Sequence, residues 1–183
     1  MMPPPGESLW LNYISYYSAD RSNNSSGDSA VPGYLVSAEA EAARLLHTWT
    51  SLKGVAWASG IILIASDTDL HVPHRNGSGG GLGDLVIQPV LLTAAFGNLH
   101  VLGGFDASLP AGNYSESKLV NPGLNYTTVA PQFALTWLPT KEIEFSLFST
   151  AGIQLEECGH TLRVRRLFRY RLFPGLSAGA INA

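Results

Sequence analysis

The stretch NLHVLGGFDASL, Asn98–Leu109, decides how the rest of the chain is read. Its residues fall into two alternating sets. Leu99, Val101, Gly103, Phe105, Ala107 and Leu109 form one, and His100, Leu102, Gly104, Asp106 and Ser108 the other. Successive side chains of an extended strand point to opposite faces, so this stretch reads as a strand with one apolar face and one face carrying polar groups. TVAPQFALTW, Thr128–Trp137, repeats the pattern, with Val129, Pro131, Phe133, Leu135 and Trp137 against Thr128, Ala130, Gln132, Ala134 and Thr136. EIEFSLFS, Glu142–Ser149, sets Ile143, Phe145 and Leu147 against Glu142, Glu144 and Ser146.

Working outward, Leu9–Tyr17, Tyr34–Trp49, Val55–Ser66 and Asp84–Phe96 read as further strands, which brings the number to about seven. Within the second of these, AEAEAARLL (Ala38–Leu46) is built of strong helix formers. It is kept as a strand because Tyr34, Val36, Ala38, Ala40 and Ala42 alternate with Ser37, Glu39 and Glu41. Pro89 and Pro131 fall inside expected strands, where the missing N–H predicts a bulge.

The connections alternate in length. Ser18–Gly33, Asp67–Gly83 and Pro110–Asn125 are long and polar, whereas Thr50–Lys53, Gly97–Asn98 and Leu138–Lys141 are short. An up-and-down barrel of an outer membrane has that asymmetry, with tight turns on one rim and long loops on the other. The clearest strands also have the roughly 9–11 residues that cross a bilayer at a tilt.

Composition agrees. Charged residues make up 14% of the chain and hydrophobic ones 45%, with 19 Gly and 11 Pro among 183 residues. A low charge content with heavy punctuation suits a β-protein with many turns. The longest apolar run, Val55–Ala65, is too short for a membrane-spanning helix. One cysteine, Cys158, excludes an internal disulfide framework. The start, MMPPPGES, lacks the pattern of a secretory signal, so export of the chain as written is not expected.

Chemical motifs are sparse. HVPH (His71–His74) has no third ligand nearby, and a solvated loop is the better reading. RNGSGGGLGD lacks the Gly-Lys-Ser/Thr ending of a phosphate loop and precedes a strand, so it reads as a flexible external loop. His100 and Asp106 share a face but lie six residues apart on an extended strand, about 20 Å, too far for an acid–base pair. Asn24, Asn113 and Asn125 stand in N-x-S/T triplets of no weight outside eukaryotic secretion. The chain is read as a non-enzyme with no cofactor and no metal.

LNYISYYSADR (Leu11–Arg21), GLGDLVIQPVLL (Gly81–Leu92) and LPAGNYSESKLVNPGLNYTTVAPQFALTWL (Leu109–Leu138) resemble the MetA-pathway of phenol degradation family. The resemblance covers about Pro3–Thr150. It implies an antiparallel transmembrane β-barrel of the bacterial outer membrane, a channel or uptake protein for hydrophobic or aromatic compounds. The implied partners are the lipid bilayer and small apolar or aromatic solutes, with no nucleic acid. In such a barrel Glu39, Glu41, Asp84, Gln88, His100, Asp106, Gln132, Glu142 and Glu144 would fall on or near the lumen and favour cations or neutral polar groups. Trp10, Trp49, Trp57, Tyr126 and Trp137 lie toward strand ends, as an interfacial girdle requires. A soluble β-barrel or sandwich binding a small apolar ligand is the alternative.

After Thr150 the charge balance flips. Residues 1–150 carry twelve acidic and six basic residues, and residues 151–183 two and five. Residues 1–150 are therefore read as the barrel portion and 151–183 as an aberrant basic tail. Permitted codons for Ile153–Ala178, shifted by one nucleotide, give FNSKNAATHYESGDYFDIDYSLGYRP, a polar loop followed by an alternating strand. The tail is accordingly read as out of frame, ahead of an amphipathic strand and of a phosphate-binding tail. Seven strands leave a barrel open, so the expected product is incomplete and does not form a pore by itself.

Overall fold

The computed structural model describes residues 2–158 and 161–176, the last of these, from Glu156 on, by their backbone. The described residues form one antiparallel sheet of nine strands and no helix: β1 (Ser8–Ala19), β2 (Leu35–Leu52), β3 (Val55–Val72), β4 (Arg75–Leu82), β5 (Leu85–Phe96), β6 (Leu99–Leu109), β7 (Thr127–Trp137), β8 (Ile143–Cys158) and β9 (Thr161–Leu176). Consecutive strands pair throughout except β4 with β5: β4 pairs with the upper part of β3, and β5 takes the lower part of the same strand. The path runs from β1 to β9 without pairing them to each other among the described residues, so the sheet is a half-barrel with two free edges.

All seven expected strands are present, and β4 and β9 are added to them. AEAEAARLL is strand throughout, continuously in register with β1 and β3 from Val36 to Leu46. Pairing on both edges overrides its helical propensity. The expected loop Asp67–Gly83 is a correction. β3 runs on to Val72, Pro73–His74 makes the turn, and the glycine-rich stretch is β4. The expected barrel/tail division at Thr150 falls inside β8, which runs from Ile143 to Cys158, and β9 then pairs along its length from Cys158 to Ile143.

The long connections 20–34 and 110–126 lie on one rim and the turns at 53–54, 97–98 and 138–142 on the other, but the tight Pro73–His74 turn stands on the rim of the long ones, where a third long loop was expected. The turns at Lys53–Gly54 and Gly97–Asn98 use left-handed backbone at Lys53, Gly54 and Gly97, which only glycine adopts without strain.

The prolines behave differently from each other. The β5–β6 register shifts between Ile87 and Val90, so Pro89 lies in a bulge, and neighbouring shifts occur at Trp49 and Ser59. These irregularities are tied together on one face. Trp49 Nε1 donates to Ser59 Oγ at 2.8 Å, and Ser59 Oγ donates to the Pro89 carbonyl at 3.0 Å. Pro131 makes no bulge. The β7–β8 ladder skips Ala130 and Pro131 and resumes in the same register, while Thr150 Oγ1 donates to the Pro131 carbonyl at 3.1 Å. A hydroxyl there satisfies the acceptor that a missing ladder bond would leave open.

Candidate functional site: the inner face of the sheet

The register sorts every strand into two rows. Arg44, Gly60, Gln88, Gly104, Asp106 and Gln132 belong to one row, linked by the pairs Gly60↔Gln88 and Gly104↔Gln132 and by the hydrogen bonds below. The opposite row holds Ile61, Leu63, Phe105, Phe133 and Phe145, all more than a third exposed. The buried residues Val36, Leu46, Thr48, Ala58, Gln88 and Leu91 all lie in the first row, which is therefore the inner face of the half-barrel.

Across the middle of that face runs a hydrogen-bonded ladder. Arg44 Nε donates to Gln88 Oε1 at 2.9 Å, Gln88 Nε2 to Asp106 Oδ1 at 2.7 Å, and Gln132 Nε2 to the same oxygen at 2.6 Å. Four strands, β2, β5, β6 and β7, contribute one side chain each, and β3 lies between β2 and β5. It is crossed at Gly60, where a Cβ would stand 2.9 Å from the Leu45 carbonyl and 3.1 Å from Gln88 Oε1. With Gln88 only 3% exposed, both of its amide atoms need partners, and the ladder supplies them.

Below the ladder, toward the short-turn rim, the face is largely apolar. Leu46, Ala58 and Leu91 form a buried cluster with Met2, Leu9 and Leu102 packed on it. The leading segment is tied down there, Gly6 N donating to the Thr48 carbonyl at 2.7 Å and Thr48 N to that of Glu7 at 3.1 Å. Beside the cluster lies a cavity of about 680 Å³ bordered by Leu11, Arg44, Leu102, His100, Thr136 and Glu144. Glu144 Oε1 accepts from Ser146 Oγ at 2.6 Å, and Ser146 exchanges a further bond with Thr136 at 3.0 Å.

Above the ladder the connection 110–126 folds inward onto β4. Gly77, Gly79 and Gly81 share the inner row, and a Cβ on them would meet Leu119, Val120 and Asn113 at 2.8, 2.5 and 2.5 Å. The bare glycines thus form the surface on which this loop lies. Asn113 exchanges hydrogen bonds with Leu82, its Oδ1 accepting from Leu82 N at 2.8 Å and its own N–H donating to the Leu82 carbonyl at 2.7 Å. Asp84, 7% exposed, accepts from Gly112 N at 3.1 Å and Leu124 N at 2.9 Å. One carboxylate therefore fastens both ends of the loop.

The structure brings together Gln88, Asp106 and Gln132, puts His100 and Glu144 on the same face lower down, and uses Asp84 as the loop anchor. Glu142 sits in the turn before β8, its N–H donating to Thr140 Oγ1 at 3.3 Å. Glu39 and Glu41 are a correction. Their row is opposite to that of Arg44, and Glu39 pairs with Asp67 of β3. Expecting polar residues to face inward selected the glutamates of AEAEAARLL and passed over Arg44, which follows Ala38, Ala40 and Ala42 at even spacing. The available signal was that Arg44 is the only basic residue within the seven expected strands.

On the outer face Trp10, Trp49, Trp57 and Trp137 lie toward the short-turn rim, each 41–57% exposed. Trp49 and Trp57 have ring centroids 6.2 Å apart, and Trp137 stacks on Phe145 at 5.7 Å. Tyr126 departs from this group, since it lies at the opposite rim and its hydroxyl accepts from the buried Gln154 at 3.0 Å. Among the described residues no three His, Cys, Asp or Glu side chains gather as a metal site would require.

The family model described as "Putative MetA-pathway of phenol degradation" matches residues 19–182, which extends beyond Thr150, the expected end of the resemblance. The crystal structure of the COG4313 outer membrane channel from Pseudomonas putida F1 superposes with a TM-score of 0.76 at 19% identity, over 83% of this chain and 57% of that one. The chain thus spans a little over half the length of that channel and has its fold. No curated protein sequence matches the chain.

Proposed function

Because the chain belongs to the MetA-pathway of phenol degradation family, we propose that its sheet is the wall of an outer-membrane channel that passes small apolar or aromatic solutes. One observation carries this reading. On β6, β7 and β8 the exposed aromatic row faces away from the Gln88–Asp106–Gln132 ladder, the arrangement needed when hydrocarbon wets one face and a hydrated path the other. The 18-residue strands β2 and β3 exceed a tilted bilayer crossing. Their upper ends, with Glu39, Glu41, Asp67 and Asp69, would then stand clear of the lipid.

In hydrocarbon the free edges of β1 and β9 would leave unpaired backbone groups, at several kcal/mol each. The 183-residue chain alone is accordingly proposed not to form a monomeric pore. Planar-bilayer recording tests this, with no discrete conductance steps expected. Behaviour in buffer tests the membrane assignment itself. A chain that stays monomeric without detergent and melts cooperatively would overturn it in favour of a soluble ligand-binding barrel.

A further inference from the structure

We infer that Arg44 makes the lower cavity a binding subsite for a monocarboxylate with an apolar body. The inference rests on the inner face being a solute path, and it adds the class of solute. Arg44 borders the cavity of about 680 Å³. Its Nε is spent on Gln88, while its two terminal nitrogens have no hydrogen-bond partner and no ion pair among the described residues. A guanidinium held by one nitrogen presents the rest of its planar fork to a carboxylate in fixed orientation.

The surroundings favour such a ligand. Leu9, Leu11, Leu46, Ala56, Leu102 and Ala134 supply apolar wall, and in a partly desolvated site a charge-assisted bond is stronger than in water. Glu144 borders the same cavity from β8. Its charge opposes any carboxylate in the cavity, a dianion more than a monoanion, so the class that Arg44 can hold there is the monoanions. Asp106, two hydrogen bonds from Arg44 along the ladder, is the negative charge a bound carboxylate would feel from above.

The test is equilibrium binding of benzoate, with benzyl alcohol as neutral control, to the full chain folded in detergent micelles and followed by tryptophan fluorescence. Benzoate is expected to bind about tenfold more tightly than the alcohol. Arg44→Leu should abolish that preference and Arg44→Lys keep part of it. Asp106→Asn retains Oδ1 as an acceptor and removes the charge, so it should raise benzoate affinity several-fold and leave the alcohol unchanged. Equal binding of the two ligands, or unchanged benzoate affinity in Asp106→Asn, overturns the subsite even where Arg44→Leu does not fold. Benzoate selectivity in a chain whose outer row avoids lipid would instead remove the channel reading and leave the subsite standing.

Discussion

Gly60 and Gln88 are register partners on β3 and β5, and the side chain that Gly60 lacks is what lets Gln88 meet Arg44 from the far side of β3. Backbone as well as side chain closes in at this point, the Leu45 carbonyl lying 2.9 Å from where a Cβ would be. Gly60→Val is therefore expected to break the Arg44–Gln88 bond and destabilise the fold by about 1–3 kcal/mol, the usual cost of overpacking. The urea midpoint of the detergent-folded chain checks this, and an unchanged midpoint would show the crossing to be slack.

The glycine row of β4 makes a separate prediction for the inward loop. A side chain at Gly79 would meet the Val120 carbonyl at 2.5 Å, which the loop can relieve only by moving away. Gly79→Leu should thus lift the loop and loosen the backbone around the already exposed Lys118, whose N–H donates to the Ser115 carbonyl at 3.1 Å, so that it fits the trypsin cleft. Cleavage after Lys118 is expected to be several-fold faster than in the parent chain, by limited proteolysis and mass spectrometry. Equal rates would mean the loop is held elsewhere.

Asp84 is where it should be held. Asp84→Ala leaves the N–H groups of Gly112 and Leu124 without their acceptor, at about 1–3 kcal/mol for each donor that water does not reach. Amide exchange at Gly112 and Leu124 should accelerate together, while β6 and β7 amides keep their protection. Acceleration at only one of the two would show that the carboxylate does not couple the loop ends.

How much of this could be read beforehand depended on what each signal measures. Alternation alone located β6 and β7 and correctly opposed Phe105 and Phe133 to Asp106 and Gln132, because both strands carry large apolar residues on one side only. It failed on β2, where Ala38, Ala40 and Ala42 are too small to mark a face and the glutamates lie in the row opposite Arg44, toward the long-loop rim. It also failed on β4. Three alternating glycines have no side chains from which a period can be read, and their role is defined by a loop that arrives about forty residues later. Pro89 and Pro131 looked alike in sequence, yet only Pro89 lies among neighbouring register shifts, and no local pattern carries that information.

Everything proposed for the channel depends on which row of β7 meets lipid. Single cysteines at 129–136 in a Cys158→Ser background, spin-labelled in liposomes, would report oxygen and nickel-chelate accessibility at each position. The account predicts that oxygen, which partitions into hydrocarbon, peaks at positions 129, 133 and 135, and that the polar chelate peaks at 130, 132 and 134. The opposite phase, or accessibility without alternation, would contradict it.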